Sequence, residues 1–90
     1  MKNISWNQEK NRYLIVERGI SFEVVASYIE NEGIIDIIDH PNRQRYEGQK
    51  IFVIAIEGYV YLVPFVETEK ELFLKTIIPS RKATRDYLGR

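Results

Sequence analysis

The sequence predicts one α+β domain over residues 1–90: two N-terminal helices, a four-stranded, mainly antiparallel sheet and a short C-terminal helix. Three observations predict it. Two early stretches each open on a capping side chain and run without glycine or proline to a stop signal. The stretch from Lys50 to Ile78 is dense in β-branched and aromatic residues broken by short turns. The chain closes on Ser80 to Gly89, with a cap residue at each end. Ninety residues at 10.7 kDa hold one core, because each half alone would be too small to stand without disulfides or metal.

Asn7 is suited to N-cap a helix from Gln8 to Arg18, and Gly19 sits where a C-cap glycine belongs. Ser21 then caps a second helix, in which Phe22, Val25, Ala26 and Ile29 recur at helical spacing and Glu23 lies near the positive end of the dipole. Gly33 stops that helix near Asn31. Ile34-Ile35-Asp36-Ile37-Ile38 reads as a strand, and residues 39–49 form the one substantial loop. Lys50 to Glu57 and Tyr59 to Glu67 follow as strands joined at Glu57-Gly58, and Glu71 to Ile78 completes an antiparallel meander. Pro64 cannot donate to a ladder, so its strand is expected at an edge or with a bulge at that point. Both faces of the Tyr59–Glu67 run are apolar, and the helices are expected to cover only part of the sheet. What remains is either a consequence of small size or a partner-binding face, which six tyrosines and four phenylalanines would suit.

Composition narrows the chemistry. No apolar run reaches the roughly eighteen residues of a membrane span, and the first residues lack the apolar stretch of a signal peptide, so the expectation is a soluble cytoplasmic protein. With no cysteine and one histidine, thiol and redox chemistry and a protein-built metal site drop out, and neither metal nor cofactor is expected. Thirteen basic and thirteen acidic side chains cancel, but unevenly along the chain. Residues 21–39 carry Glu23, Glu30, Glu32, Asp36 and Asp39 with no cation, whereas residues 75–90 carry Lys75, Arg81, Lys82, Arg85 and Arg90 against Asp86. The basic end can meet phosphate; equally, both segments can be solvated surface.

Cleaving RNA without a metal requires a base, an acid and cations for the charge that develops on phosphorus. His40 in the loop supplies the one imidazole, the side chain suited to acid–base work near neutrality, with Arg43, Arg45 and Tyr46 beside it in sequence. A second constellation is Ser80-Arg81-Lys82-Ala83-Thr84-Arg85, where the amides of a helix N-terminus join nearby guanidiniums. Lys10, Arg12 and Arg18 can add phosphate contacts from the first helix. For each of these the alternative is ordinary solvated surface.

Trp6-Asn7-Gln8-Glu9-Lys10, Arg18-Gly19-Ile20-Ser21-Phe22 and Ile77-Ile78-Pro79-Ser80-Arg81-Lys82-Ala83-Thr84 together resemble the BrnT family of type II toxins. Members typically read Trp-Asp with a lysine three residues after that aspartate, then Lys-His-Gly-Val-Ser-Phe, and close on Ile-Ser-Ala-Arg-x-Ala-Thr. The resemblance implies a RelE-like, metal-independent endoribonuclease that inhibits translation and is neutralised by a cognate antitoxin from the adjacent gene. On the reading of a small toxin ribonuclease, Arg81 and Lys10 are expected as phosphate ligands and transition-state cations, the loop's His40 as general acid or base, and Arg43, Arg45, Lys82 and Arg85 as RNA-binding residues. The chain departs from the pattern at three places, the first being Asn7 in place of the family's aspartate after the tryptophan. Glu17-Arg18 replaces the family's Lys-His, and Pro79 replaces the serine of the closing motif. A guanidinium cannot act as a base near neutrality, so either His40 supplies that function or this branch has lost or altered the nuclease. The rival expectation is a non-catalytic intracellular module that binds a protein partner.

Overall fold

Asn3–Trp6 opens the computed structural model, which describes residues 2–42, 44–45 and 48–90, as a short strand, β1. Asn7 then caps α1 (Gln8–Arg18): its side-chain oxygen accepts from the Lys10 N–H at 2.9 Å, satisfying one of the donors that every helix start leaves open. Gly19 ends α1 in the left-handed region at φ 66°. The Ser21 hydroxyl caps α2 (Phe22–Glu30) by accepting from the Val24 N–H at 3.2 Å. Gly33 follows because a Cβ there would stand 2.8 Å from the Tyr28 carbonyl oxygen, a distance no side chain tolerates. Next come the strands β2 (Ile34–Asp39), β3 (Gln49–Ile56), β4 (Tyr59–Glu67), β5 (Glu71–Leu74) and β6 (Ile78–Pro79), and then α3 (Arg81–Leu88).

The described residues thus form three helices and one sheet of six strands, not four, and a strand precedes the two N-terminal helices. The sheet runs β1-β5-β4-β3-β2, with β6 also against β4. Its pairings are antiparallel except β1 with β5, which is parallel. Two of the strands exceed the expected count for different reasons. β1 has only four residues and finds its partner at Glu71–Leu74, far along the chain. The expected run from Glu71 to Ile78 is interrupted at Pro64, which accepts from the Lys75 N–H at 2.8 Å but has no N–H to return. Leu74 pairs with Phe65 and Ile78 with Leu62, so two residues of β4 face three of the opposite chain. The irregularity expected at Pro64 is therefore present, but as a bulge in the partner of an interior strand.

Helices cover both faces. Leu14, Ile20, Phe22 and Val25 pack on Phe52, Ile54, Val63, Phe65 and Leu74 on one side. On the other, Ala83 of α3 closes over Val53 and Val60, with Leu62 and Leu88 beside them. On the face of β4 that α3 covers, Val60 is fully buried and Pro64 is buried, while Leu62 and Val66 stay half-buried, so the expected open apolar face is reduced to this partial exposure. Exposed apolar side chains lie elsewhere, on α1 at Tyr13 and Val16 and on β2 at Ile35 and Ile37. Among the described residues no helix is long and apolar enough to cross a membrane.

Candidate nucleic-acid interface

The start of α3 is pinned to the start of β4. Ser80 N–H donates to the Val60 carbonyl at 3.0 Å, and Val60 N–H donates to the Thr84 hydroxyl at 2.8 Å. That hydroxyl in turn donates to the Ser80 carbonyl at 2.7 Å, while Ser80 Oγ caps the helix by accepting from the Ala83 N–H at 3.0 Å. Thr84 is 5% exposed, so its hydroxyl holds the only polar side chain of α3 that the core admits among the described residues. With Ala83 and Thr84 turned inward, Arg81, Lys82 and Arg85 are left on the solvent side.

These cations differ in what they face. Lys82 Nζ donates to Asp86 Oδ2 at 2.9 Å, and Arg85 Nε lies 3.9 Å from Asp86 Oδ1. The Lys82 hydrogen bond holds the Asp86 carboxyl below its ordinary range, with the nearby Lys82 and Arg85 charges acting the same way. Arg81 has no ion pair or side-chain hydrogen bond among the described residues. It therefore carries the uncompensated charge at a helix end whose dipole already favours an anion.

Arg18 joins this end of the molecule from the opposite face. Its guanidinium donates to the Ile77 carbonyl, tying the last turn of α1 to the segment that leads into α3. At the other end of the same helix, Trp6 stacks on Phe22 with ring centroids 5.7 Å apart. The segment Arg18–Phe22 thus meets the segment that opens on Trp6, through Phe22, and the segment that opens on Ile77, through Arg18.

One residue in this region escaped the sequence reading. Asn11 is 3% exposed, accepts from the Phe22 N–H at 2.7 Å and donates to Glu23 Oε1 at 2.7 Å. That second bond is the main reason the Glu23 carboxyl sits below its ordinary range. Its spacing from the buried Leu14 was the available signal, since positions three apart share a helix face.

Lys10 is half-buried in the first turn of α1, with Nζ 5.3 Å from the Tyr13 ring centroid. Eight residues of helix, about 12 Å at 1.5 Å per residue, separate it from Arg18. His40 follows β2; its N–H donates to the Gln49 carbonyl at 3.3 Å and its Nδ1 accepts from the Asn42 N–H at 3.2 Å. Arg45 donates its backbone N–H to Asn42 Oδ1 at 3.1 Å in the same loop. Arg43 and Tyr46 lie outside the described residues. Gln49 pairs with Val66, whereas Ser80 is bonded to Val60. The two attachments stand six residues apart along β4, about 20 Å at 3.3 Å per residue. The structure gathers Arg81, Lys82 and Arg85 on α3 near Val60, ties Arg18 to the segment that leads into that helix, and places His40 with Arg45 toward the other end of β4; Lys10 lies at the opposite end of α1 from Arg18.

In comparisons with known proteins, no family model, curated protein or solved structure matches the chain.

Proposed function

We propose that the chain is the toxin component of a type II toxin–antitoxin system of the BrnT kind, a metal-independent endoribonuclease that cleaves RNA and inhibits translation. The observation that carries this reading is the meeting of the middle family-like segment with the other two, Phe22 on Trp6 and Arg18 on Ile77, beside an Arg81 that faces solvent with no counter-charge among the described residues. Arg81 and Arg18 grip phosphate, and Lys82 and Arg85 extend the contact once Asp86 is outcompeted. Lys10 reaches the RNA from the far end of α1. His40 serves as general acid or base on a phosphate at the loop end, where Arg43 and Arg45 bind the RNA. The RelE-like description of the fold, action in the cytoplasm and silencing by an antitoxin from the adjacent gene belong to the same proposal.

The separation of His40 from Arg81 favours a second reading, a non-catalytic binding module, because acid–base catalysis and charge stabilisation act on one phosphorus only when both groups reach it. Expression in a bacterium decides between them. The toxin reading expects growth arrest, relief of the arrest in Arg81→Ala, and RNA cleavage by the purified chain with chelator present. Normal growth together with no RNA binding by the folded chain would leave the binding module.

A further inference from the structure

β1 is an edge strand with an unused side. The Asn3 N–H donates to the Lys70 carbonyl at 3.0 Å, which turns the backbone polar groups of Asn3 toward β5. Groups alternate along a strand, so Ser5 also faces β5, and the N–H and C=O of Ile4 and Trp6 point away from the sheet. No backbone group of the described residues meets them outside the sheet.

Beside this edge runs a groove between β1 and α2. It consists of two adjoining clefts of about 520 and 540 Å³ that share Lys2, Ile4 and Glu30, within the range that holds a bound ligand; the Lys2 charge is already paired with Glu67. Its floor is apolar, from Ile4, Trp6, Ala26 and Ile29. The Trp6 indole N–H is buried and has no acceptor among the described residues. The rim at the end of α2 is acidic: Glu30 and Glu32 have no ion pair among the described residues, and the last turn of α2 holds no basic side chain. The negative end of the helix dipole adds to that charge.

We infer that the open edge of β1 and the groove beside α2 dock an extended, cationic segment of a partner protein as an added strand. The main-chain groups of Ile4 and Trp6 supply the ladder, the apolar floor takes every second side chain, and Glu30 with Glu32 select a lysine or arginine. A second copy of this chain fits less well, since its cationic residues 81–90 are largely committed to α3 and its edge strand β2 is acidic. The inference does not rest on the RNA reading, because the groove uses none of the α3 cations.

Trp6 is the only tryptophan, so its fluorescence reports on the groove directly. The probe is a capped pentapeptide alternating valine with lysine, compared with its valine–glutamate counterpart. The lysine peptide is expected to shift the Trp6 emission saturably and the glutamate peptide to bind at least about tenfold more weakly, as charge complementarity dictates. Ile4→Pro removes an outward-pointing donor while sparing the bonds to β5, and should abolish the shift. If that variant does not fold, Glu30→Lys combined with Glu32→Lys should reverse the peptide preference. No emission change with millimolar lysine peptide, equal binding of the two peptides, or a dimer that Ile4→Pro dissociates would each overturn the inference.

Discussion

The Tyr87 hydroxyl of α3 donates to Asp36 Oδ2 of β2 at 2.7 Å, while Asp36 Oδ1 accepts from the N–H of its own neighbour Ile37 at 2.8 Å. The His40 N–H bond to Gln49 and the pairing of Ile38 with Ile51 turn alternate residues of β2 toward β3, so the Ile37 N–H lies on the free edge of the sheet. The carboxylate therefore occupies a donor that a second strand would use, and Tyr87 holds it there. Ile35 and Ile37 are 43% and 50% exposed on this strand, which makes an unguarded edge a liability. Asp36→Ala is expected to self-associate at concentrations where the parent chain does not, as read by sedimentation. Identical sedimentation of the two would show that the carboxylate guards nothing.

The same bond has an alkaline signature. The Asp36 hydrogen bond, followed by burial, raises the Tyr87 phenol above its ordinary range. The neutral phenol is the form the fold favours, so this stabilisation is complete below the unfolded value of about 10 and is lost as pH rises through the folded one. Thermal melts above about pH 10 should show a fall in stability that Tyr87→Phe reduces. An unaltered alkaline profile in that variant would assign the fall to other groups.

On the acid side, Glu23 is the group to follow. Its carboxyl is lowered chiefly by the Asn11 amide, with its own backbone N–H and Ser21 contributing. A depressed carboxylate stabilises the fold above its unfolded value of about 4.3, and that contribution disappears as pH falls through the folded value. Asn11→Ala should flatten this part of the acid profile. It should also cost about 1–3 kcal/mol at neutral pH, because the buried Phe22 N–H loses its acceptor. Urea denaturation of both chains between about pH 3 and 7 measures the two effects together.

Thr84→Val replaces a buried hydroxyl by a methyl group of similar size. The Val60 N–H then has no acceptor and the Ser80 carbonyl loses one donor. A cost of about 1–3 kcal/mol is expected, the penalty for an unsatisfied buried donor. Thr84→Ser keeps the hydroxyl and should recover most of it. A loss in Thr84→Ser with none in Thr84→Val would point to the methyl contact instead of the hydrogen bonds.

What local chemistry decides was visible in the residues themselves. Asn7, Ser21 and Ser80 cap the three helices, and Gly19 and Gly89 end two of them, because a cap depends on neighbours within a turn. Glu57-Gly58 makes the hairpin turn with φ of 51° and 80°, a conformation that glycine favours. Features that depend on distant partners were not visible. β1 exists only because Glu71–Leu74 lies beside it, and β6 is two residues long. α3 could be read as a basic helix, yet nothing in its own sequence shows that Ala83 and Leu88 close the second face of β4. The candidate site divides in the same way: the cations near Arg81 are neighbours in sequence, whereas the distance to His40 is set by sheet register.

That distance yields the sharpest test of how the cations and the imidazole act. Residues bonded to one phosphate couple when removed together, while groups more than about 7–10 Å apart without shared partners add within about 0.5 kcal/mol. Arg81→Ala should weaken RNA binding by about 1.5–3 kcal/mol, the range for charged hydrogen bonds. With the attachments of His40 and Arg81 six residues apart along β4, the double variant with His40→Ala should show the sum of the single effects. Arg18→Ala shares the Ile77–Arg81 segment with Arg81 and should couple to it. Titration of a short RNA with the single and double variants measures both. Strong coupling between His40 and Arg81 would mean that the loop reaches across the sheet end in the complex, restoring a single catalytic centre; additivity would leave the imidazole to a separate phosphate or to no chemistry at all.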